Sequence, residues 1–147
     1  MPEKGKILVV DDSKVNVELL WALLAEAGFA VLKAYSGNEA IEAVKKERPD
    51  LILLDIMMPE LDGFQVCGIL RSDPDTASIP VIMVTSKDKD NDIVQSLVTG
   101  ADDYIIKPVV KNELLHKVDN LLSKAKTGEL PSQLYSKKLK SEQEKGD

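Results

Sequence analysis

Four short apolar runs in this chain each stop at a polar residue. Ile7-Leu8-Val9-Val10 ends at Asp11-Asp12, and Leu51-Ile52-Leu53-Leu54 ends at Asp55. Val81-Ile82-Met83-Val84 ends at Thr85-Ser86, and Tyr104-Ile105-Ile106 ends at Lys107-Pro108. Runs that are apolar without alternation are those of parallel strands buried on both faces. A fifth strand-like run, Ala30 to Tyr35, lies between the first two.

Helical spacing fills the intervals. Ser13 is a good N-cap for a helix with Val15, Leu19, Leu20, Leu23 and Leu24 on its apolar side, stopped by Gly28. Ser36, with Glu39 three residues on, predicts a capping box before Ala40, Ile41 and Val44. Arg48-Pro49-Asp50 ends that helix, Pro59 to Gly63 reads as a loop, and Phe64 to Leu70 as a short helix. Asp73-Pro74 and Ile79-Pro80 bracket another loop. Asp88 to Val98 has the spacing of a polar-faced helix ending at Gly100, and Asn112 is the expected cap of a last helix striped by Leu114, Leu115, Val118, Leu121 and Leu122. Strict βα alternation implies right-handed crossovers and an α/β fold with helices on both faces of a parallel sheet. The expected fold is therefore a doubly wound, flavodoxin-like, five-stranded parallel sheet with five helices, its order 2-1-3-4-5 adopted by analogy.

A length of 147 residues suits one domain. With 44% hydrophobic but only 4% aromatic residues, the core must be built from Leu, Ile, Val and Ala. A formal net charge of −6 argues against nucleic acid or an anionic membrane as the main partner. Cys67 is the single cysteine, which excludes an internal disulfide and a cysteine metal cluster. Set among Phe64, Val66, Ile69 and Leu70, it reads as a small buried hydrophobe. Ile7 to Val10 is too short for a signal-peptide core and runs into Asp11. No apolar stretch reaches membrane-spanning length. A cytoplasmic setting is the expectation.

The strand ends carry the chemistry. In open α/β sheets, ligands bind at the carboxyl ends of the strands, beside the point where strand order reverses. With strands one and three adjacent, Asp11, Asp12 and Asp55 converge, and three close carboxylates require a cation or a proton. All-oxygen ligands point to Mg²⁺ or another hard divalent ion. Thr85 and Lys107 fall on the other side of Asp55, where a hydroxyl and an ammonium suit phosphoryl oxygens. A carboxylate beside Mg²⁺ can act as nucleophile and become an aspartyl phosphate. Taken singly, each residue has a plainer reading: Asp12-Ser13 as a helix cap, Thr85 as a strand terminus, Lys107 as a surface lysine, Pro108 as a stop. Placed together on four ends of one five-strand pattern, they read as a single site for phosphoryl transfer onto Asp55.

The stretches ILVVDDS (7–13), LILLDIMMPELDGF (51–64), PVIMVTS (80–86) and GADDYIIKP (100–108) resemble the receiver domains of bacterial two-component response regulators, in order and spacing. The resemblance runs over residues 4–124, leaving 125–147 as a charged tail or the start of a linker. It implies that Asp55 is the phosphoacceptor and that Asp11 and Asp12 hold Mg²⁺, with the Met57 backbone carbonyl as a further ligand. It implies Thr85 as the switch hydroxyl, Lys107 as the partner of a phosphoryl oxygen, Tyr104 as the aromatic switch, and a cis bond between Lys107 and Pro108. A sensor histidine kinase or phosphotransfer protein is the implied donor. A downstream effector or output domain and a homodimer of the phosphorylated form are the implied partners. No nucleic-acid or membrane contact is expected of the domain itself.

The competing readings are a Mg²⁺-dependent aspartyl-nucleophile phosphohydrolase and a flavin-binding domain. The first wants a second acid two residues after the nucleophile, where Met57 stands. The second wants a Ser/Thr/Gly-rich phosphate loop after the first strand, where Asp11-Asp12-Ser13-Lys14 would repel a phosphate. Lys87 is expected to modulate the lifetime of the aspartyl phosphate, His116 to be a partly exposed structural histidine, and Met57-Met58 to be loop and core filler. The tail reads as a solvated extension, or alternatively as a basic docking segment through Lys137, Lys138 and Lys140.

Overall fold

A computed structural model describes residues 4–86 and 90–133. The elements are β1 (Lys6–Val10), α1 (Lys14–Glu26), β2 (Ala30–Ala34), α2 (Gly37–Glu47), β3 (Leu51–Asp55), α3 (Gly63–Ser72), β4 (Val81–Thr85), α4 (Asp90–Val98), β5 (Asp103–Ile106) and α5 (Lys111–Thr127). The five strands form one parallel sheet in the order β2-β1-β3-β4-β5. This is the expected architecture, and it places β1 and β3 side by side with Val10 opposite Leu54.

The continuous apolar runs follow from burial on both faces. Leu51, Ile52, Leu53 and Leu54 are all fully buried. Leu51 and Leu53 pack with α1 and α5, and Ile52 and Leu54 pack with α2 and α3. Alternate residues of each strand thus feed two separate cores, each full burial stabilising by roughly 1.5–3 kcal/mol. Cys67 lies in the α2–α3 core, as expected, and its thiol donates to the Thr99 carbonyl.

Helix ends follow local chemistry, with some departures from the sequence reading. Ser13 caps α1 by accepting from the Asn16 N–H. The Ser36 hydroxyl accepts from the Glu39 N–H and donates to the Glu39 carboxylate, rather than closing the reciprocal box expected there. A complete capping box stands instead at Asp62 and Gln65, opening α3. Asn112 does not cap α5, because the helix begins at Lys111 after the extended Val110. On α1 the buried set is Val17, Leu20 and Leu24, while Val15 and Leu19 are 69% and 60% exposed. The apolar stripe given by spacing is therefore wider than the face that meets the sheet.

The border expected at residue 125 falls inside α5, which ends at Gly128 in the left-handed conformation. Beyond it Leu130 is fully buried and Ser132 nearly so, so the ordered body reaches at least Gln133. The basic residues of the tail, Lys137, Lys138 and Lys140, lie outside the described residues.

Gly63 fixes how closely α3 approaches the end of β3. A Cβ at this position would lie 2.5 Å from the Asp55 carbonyl oxygen and 2.8 Å from the Ile56 Cα, both backbone atoms that cannot turn away. Gly68, on the same helix, has no heavy atom within 4 Å of such a Cβ. Gly63→Ala should therefore lower stability by about 1–3 kcal/mol in urea unfolding. Gly68→Ala should raise it by about 0.5–1 kcal/mol through helix propensity. Equal effects of the two substitutions would contradict this packing.

Candidate functional site

Asp11 follows β1, Asp55 ends β3, Thr85 ends β4 and Lys107 follows β5, so the four polar endings share one edge of the sheet. Carboxylate oxygens of Asp11, Asp12 and Asp55 all lie within 4.8 Å of one another. Asp11 and Asp55 are buried, and Asp12 is exposed. Local bonds fix Asp11 in place: it accepts from the Ser13 N–H at 2.9 Å and from the Asn16 side-chain amide at 3.2 Å. Sequence reasoning missed Asn16. Its placement five residues after Asp11, in the first turn of α1, is the signal that could have found it.

Lys107 ties the two buried carboxylates together. Its ammonium is 3.2 Å from Asp11 Oδ2 and 3.1 Å from Asp55 Oδ1. Its own N–H donates to the Thr85 carbonyl at 2.7 Å, which fixes the strand end that carries it. The following bond to Pro108 is cis, as the resemblance implied. Thr85 is 2% exposed and pairs in register with Ile106, one position beyond the Asp55–Val84 pair.

Tyr104 sits two positions earlier on β5, opposite Met83, and packs at the margin of the α2–α3 core. The Lys117 ammonium stands 4.7 Å from its ring centroid and also bonds the Tyr104 carbonyl and Asp103. The Met57 side chain is 67% exposed, Met58 is buried, and His116 is exposed. Lys87 lies outside the described residues.

The electrostatics are those of an underneutralised site. Burial first, and then the negative charge of Asp11, push the Asp55 carboxyl up to about 6, against the opposing pull of Lys107. For Lys107 burial works against the charge, but Asp55 and Asp11 outweigh it and leave the ammonium raised from its ordinary value. Among the described residues, three carboxylates face one ammonium, leaving two negative charges uncompensated when all three are ionised. Two such charges repel by about 3 kcal/mol at 5 Å with an effective dielectric near 20. An all-oxygen donor set with that deficit, open to solvent through Asp12, fits a hard divalent cation.

A family model described as response regulator receiver domain matches residues 7–119. Protein PilH of Pseudomonas aeruginosa is 42% identical over 119 residues, covering 81% of this chain and 98% of that protein. The response regulator PleD of Caulobacter vibrioides is 43% identical over 117 residues, covering 80% of this chain but 26% of that protein. Among solved structures, the signal receiver domain of a signal transduction histidine kinase from Syntrophus aciditrophicus superposes with a TM-score of 0.76 at 42% identity. That match covers 81% of this chain and 90% of the other. Fold and pocket define an acidic, lysine-bearing α/β switch domain of the two-component class. The chain belongs to the response regulator receiver family. Receivers of this family bind Mg²⁺ at an acidic pocket, and Asp11, Asp12 and Asp55 form such a pocket here. No helix among the described residues is long and apolar enough to cross a membrane.

The raised Asp55 pKa has a consequence for stability. The folded protein holds that proton more tightly than the unfolded chain, whose Asp titrates near 3.8. The resulting stabilisation is fully present below about pH 4 and is lost as pH rises through about 6. In metal-free buffer Asp55→Asn should therefore gain on the order of 2 kcal/mol over the parent protein between pH 4 and 7. Denaturant melts across that range check it; parallel stability curves would contradict it.

Proposed function

We propose that this receiver accepts a phosphoryl group on Asp55 from a histidine kinase or phosphotransfer protein. The observation that carries this reading is the single ammonium of Lys107 shared between Asp11 and Asp55 beside three clustered carboxylates. An Asp55 carboxylate oxygen attacks phosphorus, and the bond to the donor's imidazole nitrogen breaks with its electron pair leaving on that nitrogen. Asp11, Asp12 and Asp55, with the Met57 carbonyl, are the residues that would hold Mg²⁺. Bound there, the ion supplies charge neutralisation for the phosphoryl oxygens.

The protein's own groups do the rest. Asn16 and the Ser13 N–H hold Asp11 in place beside Asp55. Lys107 has a phosphoryl oxygen to follow once Asp55 is phosphorylated, and it gives up one of its two carboxylates to do so. Thr85, buried on the next strand end, offers the hydroxyl on the other side. Tyr104 is the relay outward: its ring, held from above by Lys117, turns as Thr85 shifts. A phosphoryl group can move this equilibrium only through such differential contacts with the two states. The same pocket would support phosphorylation from small donors and slow self-hydrolysis.

Partner surfaces flank the pocket. A largely apolar groove of about 360 Å³ runs beside Asp11 and Lys107, bordered by Leu19, Leu20, Leu23 and Pro108. Such a groove favours a protein donor over a small molecule, because an apolar helix can dock there while its phosphoryl group reaches Asp55. On the opposite flank Val94, Leu97 and Val98 are 58%, 54% and 74% exposed on α4, a surface suited to an effector or to a second phosphorylated copy.

Incubation with Mg²⁺ and radiolabelled acetyl phosphate should label the protein, and Asp55→Asn or chelation of the metal should reduce labelling at least about a hundredfold. Equal labelling of parent and variant would contradict the assignment.

A further inference from the structure

Arg71, in the last turn of α3, and Asp102, just before β5, form an ion pair at the amino edge of the sheet, opposite the phosphoacceptor. Their charged groups are 3.1 Å apart and their side chains 5% and 0% exposed. Arg71 also donates to the carbonyls of Gly100 (2.8 Å), Ala77 (3.0 Å) and Ile79 (2.7 Å). Asp102 also accepts from the Val81 N–H at 3.0 Å. A buried pair is by itself weak evidence of stabilisation. What distinguishes this one is its remaining partner.

Ser132 lies beyond the end of α5, yet its N–H and its hydroxyl each donate to Asp102 at 2.9 Å. Leu130 is fully buried in the core beneath α1 and α5. Gln133 folds back, accepting from the Leu130 N–H at 3.2 Å and donating to the Ala125 carbonyl at 3.0 Å. Residues 129–133 are therefore a fastened strap that passes from the α5 layer to the amino end of β5.

We propose that Arg71 and Asp102 form a clasp that couples this strap to the phosphoacceptor pocket at the far edge of the sheet, an inference that rests on Asp55 being the acceptor. Both jaws are the far ends of short elements that start at the pocket. Asp102 leads through β5 to Lys107, which bonds Asp55. Arg71 leads back along α3 to Gly63, which lies against the Asp55 carbonyl and donates to the Ile56 carbonyl at 2.9 Å. The clasp as observed belongs to the state in which Lys107 is tied to Asp55 and Asp11. A phosphoryl group that redirects Lys107 pulls on β5 while α3 stays anchored at Gly63, so the jaws slide against each other. Hydrogen bonds weaken steeply with such sliding, and Ser132 is the partner of Asp102 that belongs to neither the sheet nor α3. Phosphorylation loosens the strap, and the chain leaving α5 reports the state of Asp55.

Coupling of this kind is reciprocal. In the full chain, Mg²⁺ with beryllofluoride should speed amide exchange across 129–133 by about fivefold. Ser132→Ala, which removes the hydroxyl bond and adds no bulk, should tighten beryllofluoride binding by about the same factor. Ser72→Ala is the control: that hydroxyl donates to the Gly68 carbonyl on its own helix, and the change should leave beryllofluoride affinity unmoved. Saturable binding with unchanged exchange at 129–133, or unchanged affinity in Ser132→Ala, overturns the coupling and leaves the acceptor assignment standing. Absence of beryllofluoride binding in the parent protein overturns the acceptor assignment and the coupling with it.

Discussion

Lys107 sits between two carboxylates that come from adjacent strands, 3.2 Å from Asp11 and 3.1 Å from Asp55, and the site depends on that sharing. One positive charge cannot neutralise both, still less a third at Asp12. The pocket is thus held together at rest but left short of positive charge. Burial and then that imbalance raise the Asp55 carboxyl; the imbalance also invites a divalent cation and leaves Lys107 free to exchange one anionic partner for another. A fully neutralised pocket would be more stable and less able to respond.

The sheet keeps this arrangement tense. The three inner strands β1, β3 and β4 are buried on both sides, their alternate residues feeding two cores, so their ends cannot relax independently. Order β2-β1-β3-β4-β5 puts the crossover point between β1 and β3, where Asp11 and Asp55 meet, and brings β4 and β5 in from the other side. Gly63 lets α3 approach the end of β3 at backbone distance, closing the pocket from behind. The amino edge carries a second polar cluster, Arg71 with Asp102, whose elements reach back to the first. Two buried charged clusters at opposite edges, joined by β5 and α3, give the domain a means of feeling at one edge what happens at the other.

Much of this was legible in the sequence because parallel strands advertise themselves. A run such as Leu51 to Leu54, apolar without alternation, suits a strand covered on both faces, and its abrupt end at Asp55 marks the edge where ligands bind. The five strands and the polar residues at their ends follow from that pattern, whereas the order that makes Asp11, Asp12, Asp55, Thr85 and Lys107 converge was adopted by analogy and is the order observed. Periodicity was less informative about faces. It counted Val15 and Leu19 into the α1 stripe, although both are largely exposed, because spacing shows a stripe and not how much of it finds a partner. Asn112 had the right chemistry for a cap, but the extended Val110 takes the cap position two residues earlier. The Arg71–Asp102–Ser132 cluster left no trace, since its members are some 30 residues apart and each is unremarkable in its local context. Leu130, a single apolar residue in a polar segment, likewise carries no period to read.

The central claim is that the phosphoryl group goes to Asp55 and not to either neighbouring carboxylate. Borohydride reduction of the acetyl-phosphate-treated protein converts an aspartyl phosphate to homoserine, which peptide mass spectrometry can locate. The expected result is homoserine at position 55 alone, dependent on Mg²⁺. Homoserine at position 11 or 12, or none at any of the three, would contradict it.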